Sequence, residues 1–237
     1  EVVDERFVPL QYVHRPVFEN SALVRFDSGA ATRRARPRQS AGAIKTVGAP
    51  CSSMAHIAER QPVDLNEPVL VEGLPGVGLV GKIAADHLVE EFEMTYVAAV
   101  NCDGLPEVAI YQEGDRSIRP PVRIYADERR DLLVLQSDVP VSPRAAEEFA
   151  ACVTGWLDDQ GGVPIYLSGI AQEKDGVPSM YGIGSGEGEG MLADNDVETP
   201  PESGLVSGPT GALLAEANEQ GLDSVGLIVQ ASSQFPD

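Results

Sequence analysis

The stretch Val69-Leu-Val-Glu-Gly-Leu-Pro-Gly-Val-Gly-Leu-Val-Gly-Lys82 decides the predicted fold of this chain. The apolar residues Val69–Glu72 predict a β-strand, and the residues from about Gly78 to Phe92 predict an amphipathic helix. A glycine-rich turn joins the two elements. Such a turn can bind a dinucleotide, bind a phosphate, or serve only to pack the helix against the strand. The candidate ligand or interface residues of this turn are Gly73, Pro75, Gly76, Gly78, Gly81 and Lys82.

The first alternative is a dinucleotide site. Gly76-Val-Gly78-Leu-Val-Gly81 matches the G-x-G-x-x-G pattern that such sites place between a strand and a helix. Asp103 follows about 20 residues later, near the end of the next predicted strand, where such sites place the acidic residue that binds the ribose. Two features oppose this interpretation. Gly73-Leu-Pro75 lengthens and stiffens the turn, and an Asp-Gly turn already explains Asp103.

The second alternative is a phosphate-binding P-loop, because Gly76 and Gly81 are followed by Lys82. A P-loop requires a serine or threonine next, whose hydroxyl binds Mg²⁺, but residue 83 is isoleucine. Asp86 follows Lys82 at helical spacing, so we expect Lys82 to lie on a solvated helix face. A nucleotide- or dinucleotide-binding enzyme that uses this turn is the alternative function.

Other kinds of reactive site have few candidate residues. His87 is the histidine of the predicted domain, in the middle of a helix, and no G-x-S-x-G turn is present. Asp194, Asp196 and Glu198 lack the glycine and the final glutamate of a calcium loop. The three cysteines are far apart, without the C-x-x-C spacing of zinc sites. We therefore predict no catalytic residue, no metal and no cofactor.

Charge is distributed unevenly over the 237 residues, whose net charge is −20. Residues 1–53 hold eight basic and five acidic residues, whereas residues 54–237 hold nine basic and 32 acidic ones. Scattered acid with little lysine is typical of proteins from salt-rich cytoplasms. Such a surface disfavours nucleic acid or an anionic membrane as a partner. Without a long apolar run or a secretory pattern, the expected location is cytoplasmic.

Strand and helix patterns alternate from Pro68 onward. The predicted strands are Thr95–Val100, Val108–Tyr111, Pro164–Gly169 and Ser224–Val229, with a hairpin from Val122–Tyr125 and Leu132–Gln136. Capping residues predict helices from Ser142-Pro143 to Gly161-Gly162 and from Ser207 to Gly221. We expect a three-layer α/β/α domain with a mostly parallel sheet.

Three segments depart from this alternation. Residues 1–53 have no hydrophobic period, so we expect a disordered or spurious extension, with translation starting at Met54. Residues 172–203 are rich in glycine and acid, which predicts an irregular excursion with short strands near Met180–Ile183. The sequence ends in a turn, Gln234-Phe-Pro-Asp237, so we expect one domain over residues 64–237, truncated at its C-terminus.

An ordered set of motifs gives this chain a family resemblance over about residues 66–237. The motifs are Glu72–Lys82 with the following Ile-Ala-Ala-Asp-His-Leu88, the Leu105-Pro106 turn, and Gly204-Leu-Val-Ser-Gly-Pro-Thr-Gly-Ala-Leu-Leu214. Together they resemble the proteasome assembly chaperone family in its archaeal branch, and the acidic surface resembles haloarchaeal members.

The resemblance implies an α/β fold like that of nucleoside phosphorylases, without their catalytic residues. It also implies an ATP-independent, homo-oligomeric chaperone that docks on proteasome α subunits. Members of the family often dock through a C-terminal tail of a hydrophobic residue, a tyrosine and one more residue, whereas this sequence ends in Phe235-Pro-Asp237. Within the family, the glycine turn is implied to be structural, allowing a helix to pack closely on the sheet.

Overall fold

The computed structural model describes residues 55–172 and 176–232. The strands are β1 (His56–Glu59), β2 (Val69–Gly73), β3 (Thr95–Asn101), β4 (Val122–Asp127), β5 (Leu132–Ser137), β6 (Val163–Ala171), β7 (Met180–Ser185) and β8 (Ser224–Ala231). The helices are α1 (Val80–Glu91), α2 (Ala146–Asp159), α3 (Gly188–Asp194) and α4 (Gly208–Gln220), and a 3₁₀ turn (Val77–Leu79) precedes α1. The predicted extension, residues 1–53, and the end of the chain lie outside the described residues.

The eight strands of the described residues form one mixed sheet in the order β1-β3-β4-β5-β2-β6-β8-β7. β2 is parallel to β5 and β6, and β6 is parallel to β8. The other four pairings are antiparallel, so the prediction of a mostly parallel sheet was wrong. The physical reason is the length of the connections: parallel neighbours need a long crossover, whereas a four-residue turn joins β4 to β5.

Helices cover both faces of this sheet. Leu70 and Val71 are consecutive on β2, so their side chains point to opposite faces. Leu70 packs in one cluster with Phe149 of α2 and with side chains of α4. Val71 packs with Ala85 of α1 and with Leu192 of α3. The described residues therefore have the three layers that were predicted, with two helices on each face.

Capping residues place one helix as predicted and the other only in part. Ser207 precedes α4, and Gly221, with φ +71°, ends it. α2 begins at Ala146, four residues after the predicted cap, and the turn between them carries the capping bond, in which the Ser142 hydroxyl accepts from the Ala145 amide at 3.3 Å. The predicted core residues of α2 are all buried: Ala146, Phe149, Ala150, Val153 and Leu157.

Two other predictions of local structure were wrong. Val108–Tyr111 is not a strand, because only Ile110 pairs, in an isolated bridge with Arg119. In the glycine-rich segment, the predicted strand near Met180–Ile183 is confirmed as part of β7, whereas the prediction of irregular backbone was wrong where residues 188–194 form α3. The glycines of this segment have a packing role: a Cβ on Gly182 would lie 2.5 Å from a methyl group of Leu192, so α3 can lie directly on β7.

Small residues form the face that α1 turns toward the sheet. Gly81 and Ala85 are its buried residues, whereas Val80 and Ala84 are half-buried. The two smallest side chains face the sheet because they permit the closest approach of the helix to β2. None of the helices in the described part of the chain is long and apolar enough to cross a membrane.

Candidate functional site

The glycine turn lies at the carboxyl end of β2, and its backbone is tightly wound. The Leu79 amide donates to the Gly76 carbonyl oxygen at 3.0 Å. Gly78 has φ +65°, a left-handed conformation that glycine adopts without steric cost. Leu79 follows with φ +55°, which costs a residue with a side chain about 1 kcal/mol or more. The chain thus changes direction twice before α1 begins.

Gly73 and Gly81 allow α1 to lie close against β2. A Cβ on Gly73 would be 2.0 Å from the Cβ of Ala85, and 3.0 Å from the Gly81 carbonyl oxygen. A Cβ on Gly81 would be 3.2 Å from the Leu74 carbonyl oxygen. Real Cβ atoms do not approach other atoms to 2.0 Å, so the contact between α1 and β2 requires glycine at position 73.

The rest of the turn rests on β6. A Cβ on Gly169 of β6 would be 2.1 Å from the Val77 carbonyl oxygen, which means that the 3₁₀ turn touches the backbone of this strand. Pro75 is half-buried beside it, whereas Gly76 is exposed with nothing within 4 Å of its Cβ position. Gly76 therefore faces open space, as does the exposed Val77 that follows it.

The structure separates the residues that a nucleotide site would need. Asp103 follows β3, and both β4 and β5 lie between β3 and β2. Lys82 Nζ lies 2.6 Å from both carboxylate oxygens of Asp86 and 3.2 Å from Oδ1 of Asp138. The Lys82 side chain is 17% exposed, so the prediction that it lies on a solvated face was wrong. Its charge is engaged by two carboxylates of the protein itself.

Lys82 belongs to a charge network, which we define as Lys82, Asp86, Arg123, Gln136 and Asp138. Arg123, the second residue of β4, is fully buried. Its guanidinium donates to Oδ2 of Asp138 at 2.5 Å and to Oε1 of Gln136 at 2.7 Å. Gln136 in turn donates to Asp86 at 2.6 Å, which closes the ring back to Lys82. Two cations and two carboxylates therefore neutralise one another at the ends of β4 and β5.

The network extends into the segment between β3 and β4, residues 102–121, which we call the arm. Arg123 and Arg119 both donate to the Tyr125 hydroxyl, at 3.1 and 3.2 Å. Arg119 also pairs with Asp115 at 2.8 Å. Hydrogen bonds from Ser117, together with the one from Arg119, lower the pKa of Asp115 to about 2. The arm is thus fastened to the sheet by charged hydrogen bonds.

Glu72 is a second buried charged group, on the opposite face of β2 from α1. Its Oε1 accepts from the Leu74 amide at 3.0 Å and from the Thr210 hydroxyl at 3.1 Å. Its Oε2 accepts from the Leu167 amide at 3.1 Å. Burial raises the pKa of Glu72 to about 7, because desolvation outweighs these three hydrogen bonds. One carboxyl group therefore joins β2, β6 and the first turn of α4.

Groups for covalent or metal chemistry are not assembled in the described residues. Burial raises the pKa of Cys102 to about 11 and also raises that of Cys152, which disfavours the reactive thiolate. His87 is exposed on α1. No group of three or more histidine, cysteine or acidic side chains is arranged to hold a metal ion in residues 55–172 and 176–232. What this arrangement can do is fix strand ends, a helix start and the arm in place.

Sequence reasoning missed the residues that organise this edge of the sheet: Glu72, Arg123, Gln136 and Asp138. A usable signal was present. Arg123 stands between Val122 and Ile124, and Glu72 stands two residues after Leu70 on the same face of a strand. A charged residue inside an apolar strand indicates a buried and paired group, because an unpaired buried charge is too costly. The partners, however, come from distant segments and follow only from the fold.

Comparison with known proteins places this arrangement in a family. Residues 70–237 match the family model described as the PAC2 family. An uncharacterized protein of Methanocaldococcus jannaschii is 28% identical over 180 residues, which cover 76% of this chain and 73% of that protein.

Solved structures agree with this match. The structure of PbaA of Pyrococcus furiosus, an archaeal homolog of proteasome-assembly chaperone, is similar to that of this chain, with a TM-score of 0.69. The two sequences are 27% identical, and the similarity covers 77% of this chain and 79% of PbaA. PbaB of the same organism, an archaeal proteasome activator, has a TM-score of 0.62 and 22% identity, over 78% of this chain and 84% of PbaB, and so shares the fold. Because the family model covers most of the sequence, this chain belongs to the PAC2 family.

Proposed function

We propose that this protein is a non-catalytic, ATP-independent chaperone-like protein of proteasome assembly that binds proteasome α subunits. Membership of the PAC2 family and the likeness to PbaA support this function. The observation that carries it is the state of Lys82: the cation that would bind a nucleotide phosphate is held by Asp86 and Asp138. The nucleoside-phosphorylase-like fold without catalytic residues, implied by the resemblance, is part of the same proposal.

The glycine turn has a structural role in this proposal. Gly73 and Gly81 support it, because a side chain at either position would meet α1 or the backbone of β2. Pro75, Gly76 and Gly78 shape the connection, and the exposed Gly76 leaves an interface role open to test. Within the same proposal the protein works in the cytoplasm of a salt-rich archaeal cell and forms homo-oligomers through its helix faces and residues 172–203. The net charge of −20 supports the salt-rich setting.

The direct test is binding to α subunits. The full-length protein is mixed with purified proteasome α subunits in molar KCl, and the mass of each eluting species is measured by size-exclusion chromatography with light scattering. We expect a species that contains both proteins. An unrelated protein of similar acidic charge serves as the control, because it separates specific binding from electrostatic association. Separate elution of the two proteins at every salt concentration would refute the proposal.

A thermal-shift experiment separates this function from the nucleotide-binding alternative. A ligand that binds only the native state must raise the melting temperature. We expect no rise with ATP, NAD or NADP, either for the wild type or for Lys82→Ala and Gly78→Val. A rise in the wild type that both variants lose would instead favour an enzyme.

A further inference from the structure

The exposed large hydrophobic side chains of the described residues lie at one end of the domain. We call this end the carboxyl pole, because the carboxyl ends of β2, β6 and β8 lie there. Val77 follows β2 and Ile170 lies at the end of β6. Met180 pairs with Val229, near the end of β8. Leu205, which is 86% exposed, stands three residues before α4, and the first turn of that helix bonds to β2.

The arm projects from the same pole. β3 runs in the same direction as β2, because β3 is antiparallel to β4, β4 is antiparallel to β5, and β5 is parallel to β2. The arm leaves the carboxyl end of β3 and carries three further exposed apolar residues, Val108, Tyr111 and Ile118. Tyr111 is 84% exposed and Ile118 is 74% exposed.

The opposite end of the domain has a different surface. It includes the turns that join β4 to β5, α2 to β6 and α4 to β8. These turns expose charged and polar residues such as Arg129, Asp159 and Gln160, and no exposed large hydrophobic residue of the described chain lies in them. Apolar side chains gathered at one end of a protein mark an interaction surface, whereas scattered ones do not.

The arm holds its apolar residues outward in a defined conformation. Ile110 and Arg119 exchange two backbone hydrogen bonds of 2.9 Å in an isolated bridge, and Tyr111 and Ile118 are the residues that directly follow and precede it in the chain. Arg119 is bonded to Tyr125 of the sheet at 3.2 Å. Because this backbone is fixed, the exposure of the apolar pair is a property of the fold.

The charges of the molecule indicate the chemistry of the partner. Beside the arm, the start of α2 and the residues before α4 carry Glu147, Glu148 and Glu202 against one arginine, Arg144. The arm itself contains four acidic residues and two arginines, of which Arg119 is paired with Asp115. Two copies of this pole in contact would bring like charges together, which is unfavourable. A surface with basic residues around an apolar centre would complement it.

We propose that the carboxyl pole is the docking surface for a protein partner whose contact face is apolar at its centre and rich in lysine and arginine around it. This inference rests on the proposed function, in which that partner is a proteasome α subunit. Tyr111 and Ile118 supply the central apolar contact.

The test uses the full-length protein, the double variant Tyr111→Ser/Ile118→Ser, and the matched control Gln160→Ser on an exposed residue of the opposite end. Dissociation constants are measured for α subunits and for a synthetic amphipathic Leu/Lys peptide, with a Leu/Glu peptide as its counterpart. Because the substituted residues are exposed, urea unfolding should show unchanged stability for each variant. We expect the double variant to lose about tenfold or more in affinity for both basic partners, since central aromatic anchors dominate interfaces. Gln160→Ser should stay within about twofold.

The outcomes separate this inference from the function on which it rests. Wild-type binding to α subunits that the double variant retains would overturn the docking surface and leave the function standing. If α subunits do not bind the wild type at all, the proposed function is refuted, and the Leu/Lys peptide then tests the docking surface. Loss of Leu/Lys peptide binding in the double variant supports the carboxyl pole as that surface. Equal binding of the Leu/Lys and Leu/Glu peptides would overturn it. An oligomer of the wild type that dissociates in the double variant would also overturn it, because a second copy would then occupy the pole.

Discussion

Replacing Gly73 by alanine tests whether the glycine turn exists to bring α1 against β2. The new Cβ would lie 2.0 Å from the Cβ of Ala85 and about as close as van der Waals contact allows to two backbone carbonyl oxygens, of Gly81 at 3.0 Å and Leu135 at 3.1 Å. None of these atoms is the end of a flexible side chain. The helix must therefore move away from the strand, which opens gaps in the cluster that contains Ala85, Val134 and Tyr125.

The expected loss of stability follows from this geometry. Overpacking a core costs about 1–3 kcal/mol, and we expect about 3 kcal/mol, because every neighbouring atom belongs to the backbone or to a Cβ. Gly76→Ala is the matched control, since nothing lies within 4 Å of its Cβ position and its φ of −145° suits any residue. That substitution should leave stability unchanged or raise it by about 0.5 kcal/mol. Urea unfolding of both variants in molar KCl, followed by circular dichroism, measures the difference.

A second substitution identifies the cause. Ala85→Gly removes the atom that lies 2.0 Å from the new Cβ, so it should recover part of the loss in the Gly73→Ala background, although glycine within a helix costs about 1 kcal/mol by itself. A coupling energy of about 1 kcal/mol or more between the two sites is expected for groups in direct contact. Equal unfolding midpoints for Gly73→Ala and Gly76→Ala would refute the packing role of the turn.

Three further predictions concern charge. Because burial raises the pKa of Glu72 to about 7, the stability that its protonated form contributes is present at low pH and lost as pH rises through 7. Relative to Glu72→Gln, the free energy of unfolding of the wild type should increase by up to about 3 kcal/mol from pH 8 to pH 5. The same pH dependence of urea unfolding for both proteins would contradict this. Arg123→Met should cost about 3 kcal/mol in urea unfolding, because it removes the donor to Gln136 Oε1 and leaves the partly buried Asp138 with Lys82 alone, whereas exposed Arg129→Met should change little. Lowering KCl from molar to about 0.01 M should lower the melting temperature, since repulsion among 37 acidic residues then reaches further; a constant value would show that screening does not matter.

The sequence predicted those parts of the fold that short-range patterns determine. The strands at Val69 and Thr95, the hairpin that begins at Val122, and the helix from Ser207 to Gly221 lie where their patterns placed them. In each case, apolar residues and capping or turn residues within about ten positions specify the element. The mostly parallel direction of the strands was mispredicted, because strand direction depends on which connections cross over, and an alternating pattern is compatible with both parallel and mixed sheets.

The candidate site was harder to predict, and for a related reason. Lys82 looked solvated because its helical neighbours are acidic, but Asp138, 56 positions away, also reaches it. Arg123 joins Gln136 of β5 and Asp138 just after β5 through hydrogen bonds that no local pattern encodes. Glycines of residues 176–203 suggested irregular structure, whereas the close contact of α3 with β7 requires Gly182. Long-range contacts decide each of these cases.

The carboxyl edge of a parallel sheet is where α/β proteins hold ligands, and here the same edge is filled by the protein's own contacts. A phosphate approaching Lys82 would have to displace a carboxylate that lies 2.6 Å from its amino group. The charge network contains equal numbers of cations and carboxylates, so it exerts little net attraction on an anion at a distance. Its hydrogen bonds instead reach Tyr125, which accepts from Arg119 at the base of the paired residues of the arm. The contacts that engage Lys82 are therefore connected, through Asp138, Arg123 and Tyr125, to the contact that fastens Arg119 of the arm.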